Sequence, residues 1–145
     1  DLVAAIEPDN AGVAVESTVD AEPRLARRAR EAYIAGIETD VTLGDASGPF
    51  ERAGLSDVRT REHRHRQTVE PPYSEAAIEA AARKATGERL AEKRAELLAG
   101  GLTEAEYDAL RADWREMGRA AVDAMREGAY EREETTPYFV TVGRV

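Results

Sequence analysis

The sequence predicts an α/β fold, and three observations carry that expectation. Leu2-Val-Ala-Ala-Ile6 is a continuous apolar run closed by Glu7-Pro8-Asp9-Asn10, the pattern of a parallel strand buried on both faces. Two long segments, beginning near Glu22 and near Ser74, repeat apolar residues at helical spacing. The chain then closes on Thr136-Pro-Tyr-Phe-Val-Thr-Val-Gly-Arg-Val145, rich in the β-branched and aromatic residues that favour strands.

Taken in order, the first strand ends at Pro8, where Pro, Asp and Asn turn the chain into a loop. Val13 and Val15 alternate, but nothing in the sequence assigns them a partner. Glu22-Pro23 opens a helix, proline being tolerated in a first turn, and Leu25, Ala29, Tyr33 and Ile37 line one stripe at intervals of four. Thr39–Gly48 reads as a loop. Pro49–Ala53 is a short helix stopped by Gly54, and Leu55–Val69 is extended until Pro71-Pro72 ends it. Ser74 caps a further helix with Ile78, Ala81, Ala82 and Ala85 on one face, weakened at Gly87 and running to Gly100-Gly101. Thr103-Glu-Ala-Glu106 is a capping box, with Leu102 and Tyr107 as its hydrophobic staple. From there Tyr107, Leu110, Trp114, Met117, Ala121 and Met125 form a packing stripe. The two segments therefore pair as an antiparallel helical hairpin.

Composition narrows the function classes. The 145 residues suffice for a single core. The absence of cysteine rules out disulfides and thiolate metal ligands. No stretch is long and apolar enough to span a membrane, and no secretory leader is visible, so the expected location is the cytoplasm. The first residue, Asp1, leads to the expectation of a processed chain or a piece of a longer one. A net charge of −9, from 29 acids and 20 bases, opposes general nucleic-acid binding. All the bases are arginine except Lys84 and Lys93. An acidic, lysine-poor, alanine-rich surface suits a salt-loving cytoplasm, where ions screen its self-repulsion.

Arg59-Thr-Arg-Glu-His-Arg-His-Arg66 poses a question of its own. His63 and His65 share a strand face, but Arg59, Arg61 and Gln67 are their neighbours there, and a catalytic zinc site needs a third protein ligand. The arginines form a local basic patch without interleaved aromatic residues for base stacking. The reading adopted is an edge strand whose charge keeps it from pairing with other chains.

These segments together resemble the C-terminal half of class I S-adenosylmethionine-dependent methyltransferases. The resemblance rests on the apolar strand ending in Glu7-Pro8, on Pro49-Phe-Glu-Arg-Ala-Gly-Leu-Ser-Asp-Val58, and on the closing Tyr138-Phe-Val-Thr-Val-Gly-Arg144. It covers nearly the whole chain through structural rather than catalytic signatures. It implies part of a doubly wound, Rossmann-like sheet (residues 1–73), an inserted helical hairpin acting as lid or substrate wall (74–129), and a last strand (130–145) that returns antiparallel between two earlier ones. It also implies a small-molecule acceptor, with Glu7, Asp9 and Asn10 at the strand end and Tyr33 on the next helix as substrate contacts. The bland alternatives remain beside these roles: a strand-ending turn for the first three and a core position for Tyr33. No glycine-rich loop follows an apolar strand here, so the cofactor is expected to sit in the parent protein's other half and none in this chain alone. The expected partner is then that N-terminal half, or a second copy of the chain. The competing expectation is a non-catalytic module whose amphipathic hairpin binds a protein.

Overall fold

A computed structural model describes residues 1–145, which form a mixed α/β protein with a four-stranded antiparallel open sheet and six α-helices. The strands are β1 (Leu2–Pro8), β2 (Ala14–Ser17), β3 (Ser56–Val69) and β4 (Arg132–Arg144). The helices are α1 (Glu22–Gly36), α2 (Ser47–Arg52), α3 (Glu75–Thr86), α4 (Glu88–Glu92), α5 (Arg94–Ala99) and α6 (Glu104–Arg126). A single 3-10 turn, Asn10–Gly12, follows β1. The chain divides into two compact units. One comprises Asp1–Val13, Thr39–Arg66 and Thr135–Val145; the other comprises Ala14–Glu38 and Gln67–Glu134.

In the first unit β4 is the central strand. β1 runs antiparallel to it in a register from Leu2 opposite Arg144 to Pro8 opposite Tyr138. β3 pairs the same stretch of β4: Ser56 Oγ donates to the Arg144 carbonyl, Thr60 Oγ1 lies 3.0 Å from Thr141 Oγ1, and His65 meets the Tyr138 ring edge-on. A strand has two edges, so β1 and β3 flank β4 on opposite sides. The expectation that β1 is a parallel strand buried on both faces is corrected here. Its pairing is antiparallel, and Leu2 and Ile6 are 69% and 67% exposed. Continuous apolarity reports that a strand is built to be covered, without naming its neighbour.

One face of this sheet is covered by the 39–46 loop and α2. Gly44, at φ +56°, lies under the Phe139 ring, and Gly143 of β4 leaves room for Phe50 and Leu55. Ala46 N–H donates to Thr141 Oγ1, and Thr141 is fully buried. Asp45 Oδ1 accepts from Ser47 N–H and from Thr60 Oγ1. Those donors hold the Asp45 carboxyl below its ordinary pKa, the Ser47 amide contributing most.

The second unit is helical, with β2 and the early part of β4. Its core gathers Leu25, Ala29 and Ala32 of α1 with Leu90, Leu97, Tyr107, Leu110 and Met117. The anticipated hairpin is only partly continuous, because its first arm breaks into α3, α4 and α5. Gly87 causes the first break: it takes a left-handed conformation (φ +66°), and Arg115 fills the space a side chain would need. α3 then packs along α6 while α5 packs against α1. The α3–α6 crossing is close because Gly118 lies directly against the backbone of Lys84 and Ala85. Ile78, expected on the packing face of α3, is 51% exposed, whereas Ala81 is buried. The small side chain, not the large one, faces α6.

The start of α6 follows its sequence signature. Glu106 N–H donates to Thr103 Oγ1 at 3.1 Å and Thr103 N–H to Glu106 Oε2 at 2.8 Å. The stripe below it is buried at Tyr107, Leu110, Met117 and Ala121, while Trp114 is half-buried beside the core. Thr103→Ala should cost about 1 kcal/mol in urea unfolding through loss of the cap. Gly118→Ala should cost about 1–3 kcal/mol by overpacking the crossing, despite alanine's better helix propensity. A neutral or stabilising Gly118→Ala result would show that the two helices have room to separate.

Candidate functional site

Glu7, Asp9 and Asn10 lie together where β1 passes into the 3-10 turn. Asp9 N–H continues the ladder to the Pro137 carbonyl, and Asp9 Oδ1 accepts from Ala11 N–H at 3.0 Å. Asn10 is fastened to the 39–46 loop twice, its N–H and its Nδ2 both donating to the Val41 carbonyl at 3.1 and 2.7 Å. The turn is therefore rigid, leaving Asp9 Oδ2, Asn10 Oδ1 and the Glu7 carboxylate without a protein donor. Such a pair of half-exposed carboxylates beside an amide can accept hydrogen bonds from hydroxyl or amino groups of a ligand. Their local backbone role is also the strand-ending turn that Pro, Asp and Asn favour.

Tyr33 belongs to the helical unit, packs at the margin of the Leu25–Tyr107 core, and has the Lys93 ammonium 5.4 Å from its ring centroid. A cleft of about 520 Å³ opens in the same unit along α3 and α4, with Trp114 in its wall among Glu79, Arg83, Arg89 and Lys93. His63 and His65 are exposed on β3, and no group of three or more His, Cys, Asp or Glu is placed to hold a metal.

Sequence reasoning missed the most heavily engaged carboxylate in the molecule. Glu22 is 1% exposed and accepts four hydrogen bonds. Ser17 Oγ (2.7 Å) and Tyr130 Oη (2.6 Å) donate to Oε1; Lys84 Nζ (2.6 Å) and Arg132 Nε (3.1 Å) donate to Oε2. Arg132 also donates to Glu134, whose Oε1 is 3.6 Å from Arg30 Nη2. Burial pushes the Glu22 carboxyl up, but Lys84, Tyr130 and Ser17 together outweigh it and leave its pKa lowered. Lys84 shifts downward as well, because burial and the Arg132 charge exceed the pull of Glu22. Burial and the neighbouring carboxylate push the Tyr130 phenol well up. With both oxygens saturated, Glu22 has no lone pair to offer a substrate proton, so its work is structural. In the sequence it resembles an ordinary first-turn acid before Pro23. The signal that could have marked it is Lys84, one of only two lysines in an arginine-dominated chain.

Glu22→Gln would present an amide N–H₂ to an ammonium and a guanidinium, leaving buried charge unpaired, and should cost about 3–5 kcal/mol. The pH dependence follows from the lowered pKa. The contribution of Glu22 is fully present above the unfolded carboxylate range and is lost as pH falls through its folded value. Urea unfolding between neutral and acid pH should therefore show a shallower acid loss in Glu22→Gln than in the parent. Equal acid slopes would assign the loss to other carboxylates.

No protein-family model matches the chain, and no curated protein and no solved structure matches it either.

Proposed function

We propose that this chain is the C-terminal, substrate-side portion of an S-adenosylmethionine-dependent methyltransferase acting on a small-molecule acceptor. The observation that carries the reading is the place of β4. The last strand runs antiparallel to β1 and β3 and is held between them, the strand order implied by the resemblance of Leu2–Pro8, the Phe50–Val58 segment and Tyr138–Arg144. β1 pairs only with β4 and has its other edge free, in keeping with a sheet that continues in a larger protein.

The residues present do not form a cradle for the cofactor. The loop that leaves β1 carries Gly12, which is packed against Pro137. Gly44 is occupied by Phe139, and Gly87, Gly101 and Gly128 lie at helix ends. In this reading the cofactor belongs to the parent's other half, and this chain contributes the fixed turn at Glu7, Asp9 and Asn10. There Asn10 holds the turn, and the Glu7 and Asp9 carboxylates orient the acceptor and receive its proton. Tyr33 is a packing residue of the helical unit. The apolar stripe of α6 is spent on the chain's own core, so nothing favours the hairpin as a docking face.

The test compares the 145-residue chain with the product of the complete reading frame. Titration calorimetry should show S-adenosylmethionine binding by the complete product and none by the chain. Glu7→Gln with Asp9→Asn should lower methyl transfer by the complete product with little change in cofactor affinity. A complete product that fails to bind the cofactor, or stoichiometric binding by the chain itself, would overturn the reading. The halophilic expectation has its own measurement: with a net charge of −9, the melting temperature should rise from low to molar KCl as self-repulsion is screened.

A further inference from the structure

The face of the three-stranded sheet opposite α2 is chemically graded from one edge to the other. Alternation assigns its residues. Thr60 and Thr141 meet on the face covered by α2, so His65 and Tyr138, of opposite parity on their strands and in ring contact, lie on the other face. By the β1–β4 register, that face carries Leu2 and Ile6 of β1 beside Tyr138, Val140 and Val142 of β4. On the β3 side it carries Arg59, Arg61, His63 and His65, all exposed. An aliphatic field is thus bordered along one side by two guanidinium groups and two imidazoles, on a chain whose net charge is −9.

We propose that this face binds an acidic amphipathic helix of a partner polypeptide, its apolar stripe lying on β1 and β4 and its carboxylates along Arg59, Arg61 and the two histidines. A helix is the element that covers a sheet face as a layer. Exposed aliphatic side chains in one patch mark an interaction surface, and the cationic border sets the sign of the occupant's flank. The face is poor in the aromatic platforms that single-stranded nucleic acid uses, Tyr138 being its one large ring. The inference stands apart from the methyltransferase reading, because it concerns only what this sheet face recognises.

The test uses fluorescently labelled peptides of about 18 residues, long enough to span the strands as a helix. One has a leucine stripe flanked by glutamates, a twin has lysine in place of glutamate, and a third has the acidic composition with its stripe scrambled. Anisotropy should show the acidic helix binding the 145-residue chain, with the lysine twin weaker by about tenfold. That preference is the reverse of what the chain's net charge alone would produce. Amide shifts should centre on residues 2–8 and 138–144. Arg59→Glu with Arg61→Glu should erase the preference, and Ile6→Thr, at an exposed strand position, should weaken both helices.

Several results would overturn the proposal: no binding of the acidic helix, equal binding of the scrambled peptide, or a lysine twin that binds as tightly. So would a thymidine oligonucleotide that shifts the same amides more tightly than the acidic helix. Sedimentation as a dimer that Ile6→Thr dissociates would assign the face to a second copy instead.

Discussion

The helical unit is organised around one buried carboxylate. Glu22 stands at the first turn of α1, yet its four donors come from β2, α3, the segment before β4, and β4 itself. A single side chain therefore registers α1 against elements separated by up to 110 positions along the chain. Desolvating a carboxylate costs several kcal/mol, which only good geometry recovers. Here Oε1 takes two hydroxyl donors and Oε2 two cationic donors, all at 2.6–3.1 Å. Tyr130 shows how far the arrangement reaches. Its hydroxyl donates to Glu22 while its backbone N–H and carbonyl are both held by the Tyr73 hydroxyl. Moving Glu22 would disturb the approach to α3 and the entry to β4 together.

Close helix contacts complete what the charge cluster begins. Gly118 brings α6 against the α3 backbone, while Gly36 and Gly100 let the end of α1 touch the end of α5, where Glu96 and Ala32 carbonyls occupy the space a Cβ would need. Alanine-rich helices bury little area per residue, so dense packing needs short interaxial distances. The same alanine content that gives the sequence its helical propensity thus obliges the helices to sit close. Lys84 can reach Glu22 from α3 within that geometry.

What was legible in the sequence was local. The capping box at Thr103, the helix stop at Gly54, the extended Ser56–Val69 strand and the α6 stripe all follow from chemistry within a few residues, and the structure contains them. What was not legible depends on distant partners. Leu2–Ile6 carries the apolarity of a covered strand, but antiparallel pairing with β4 is a long-range fact. Val13 and Val15 hint at β2, whose partner is the distant β4 and beyond whose end Thr18 and Glu131 exchange hydrogen bonds. The closing strand begins at Arg132, earlier than Thr136, and its first residue is ion-paired to Glu22, a partner no local pattern announces. At the candidate site, the turn chemistry of Asp9 and Asn10 was readable, whereas the hold of Val41 on Asn10, across 31 positions, was not.

The first unit solves a different problem with polar contacts. Its covered face is joined by Asp45, Thr60, Thr141 and the Ala46 amide, a short chain of hydrogen bonds linking α2 to both β3 and β4. Threonine is suited to this place because it is β-branched for the strand and carries a hydroxyl for the link. Asp45 ties the same network to the first turn of α2 through Ser47. The loop that carries Asp45 also carries Val41, which holds Asn10 through two hydrogen bonds. The turn at Glu7, Asp9 and Asn10 is therefore braced from β4 on one side and from this loop on the other. The bracing comes from outside the turn itself, the Pro137 carbonyl holding Asp9 and the Val41 carbonyl holding Asn10.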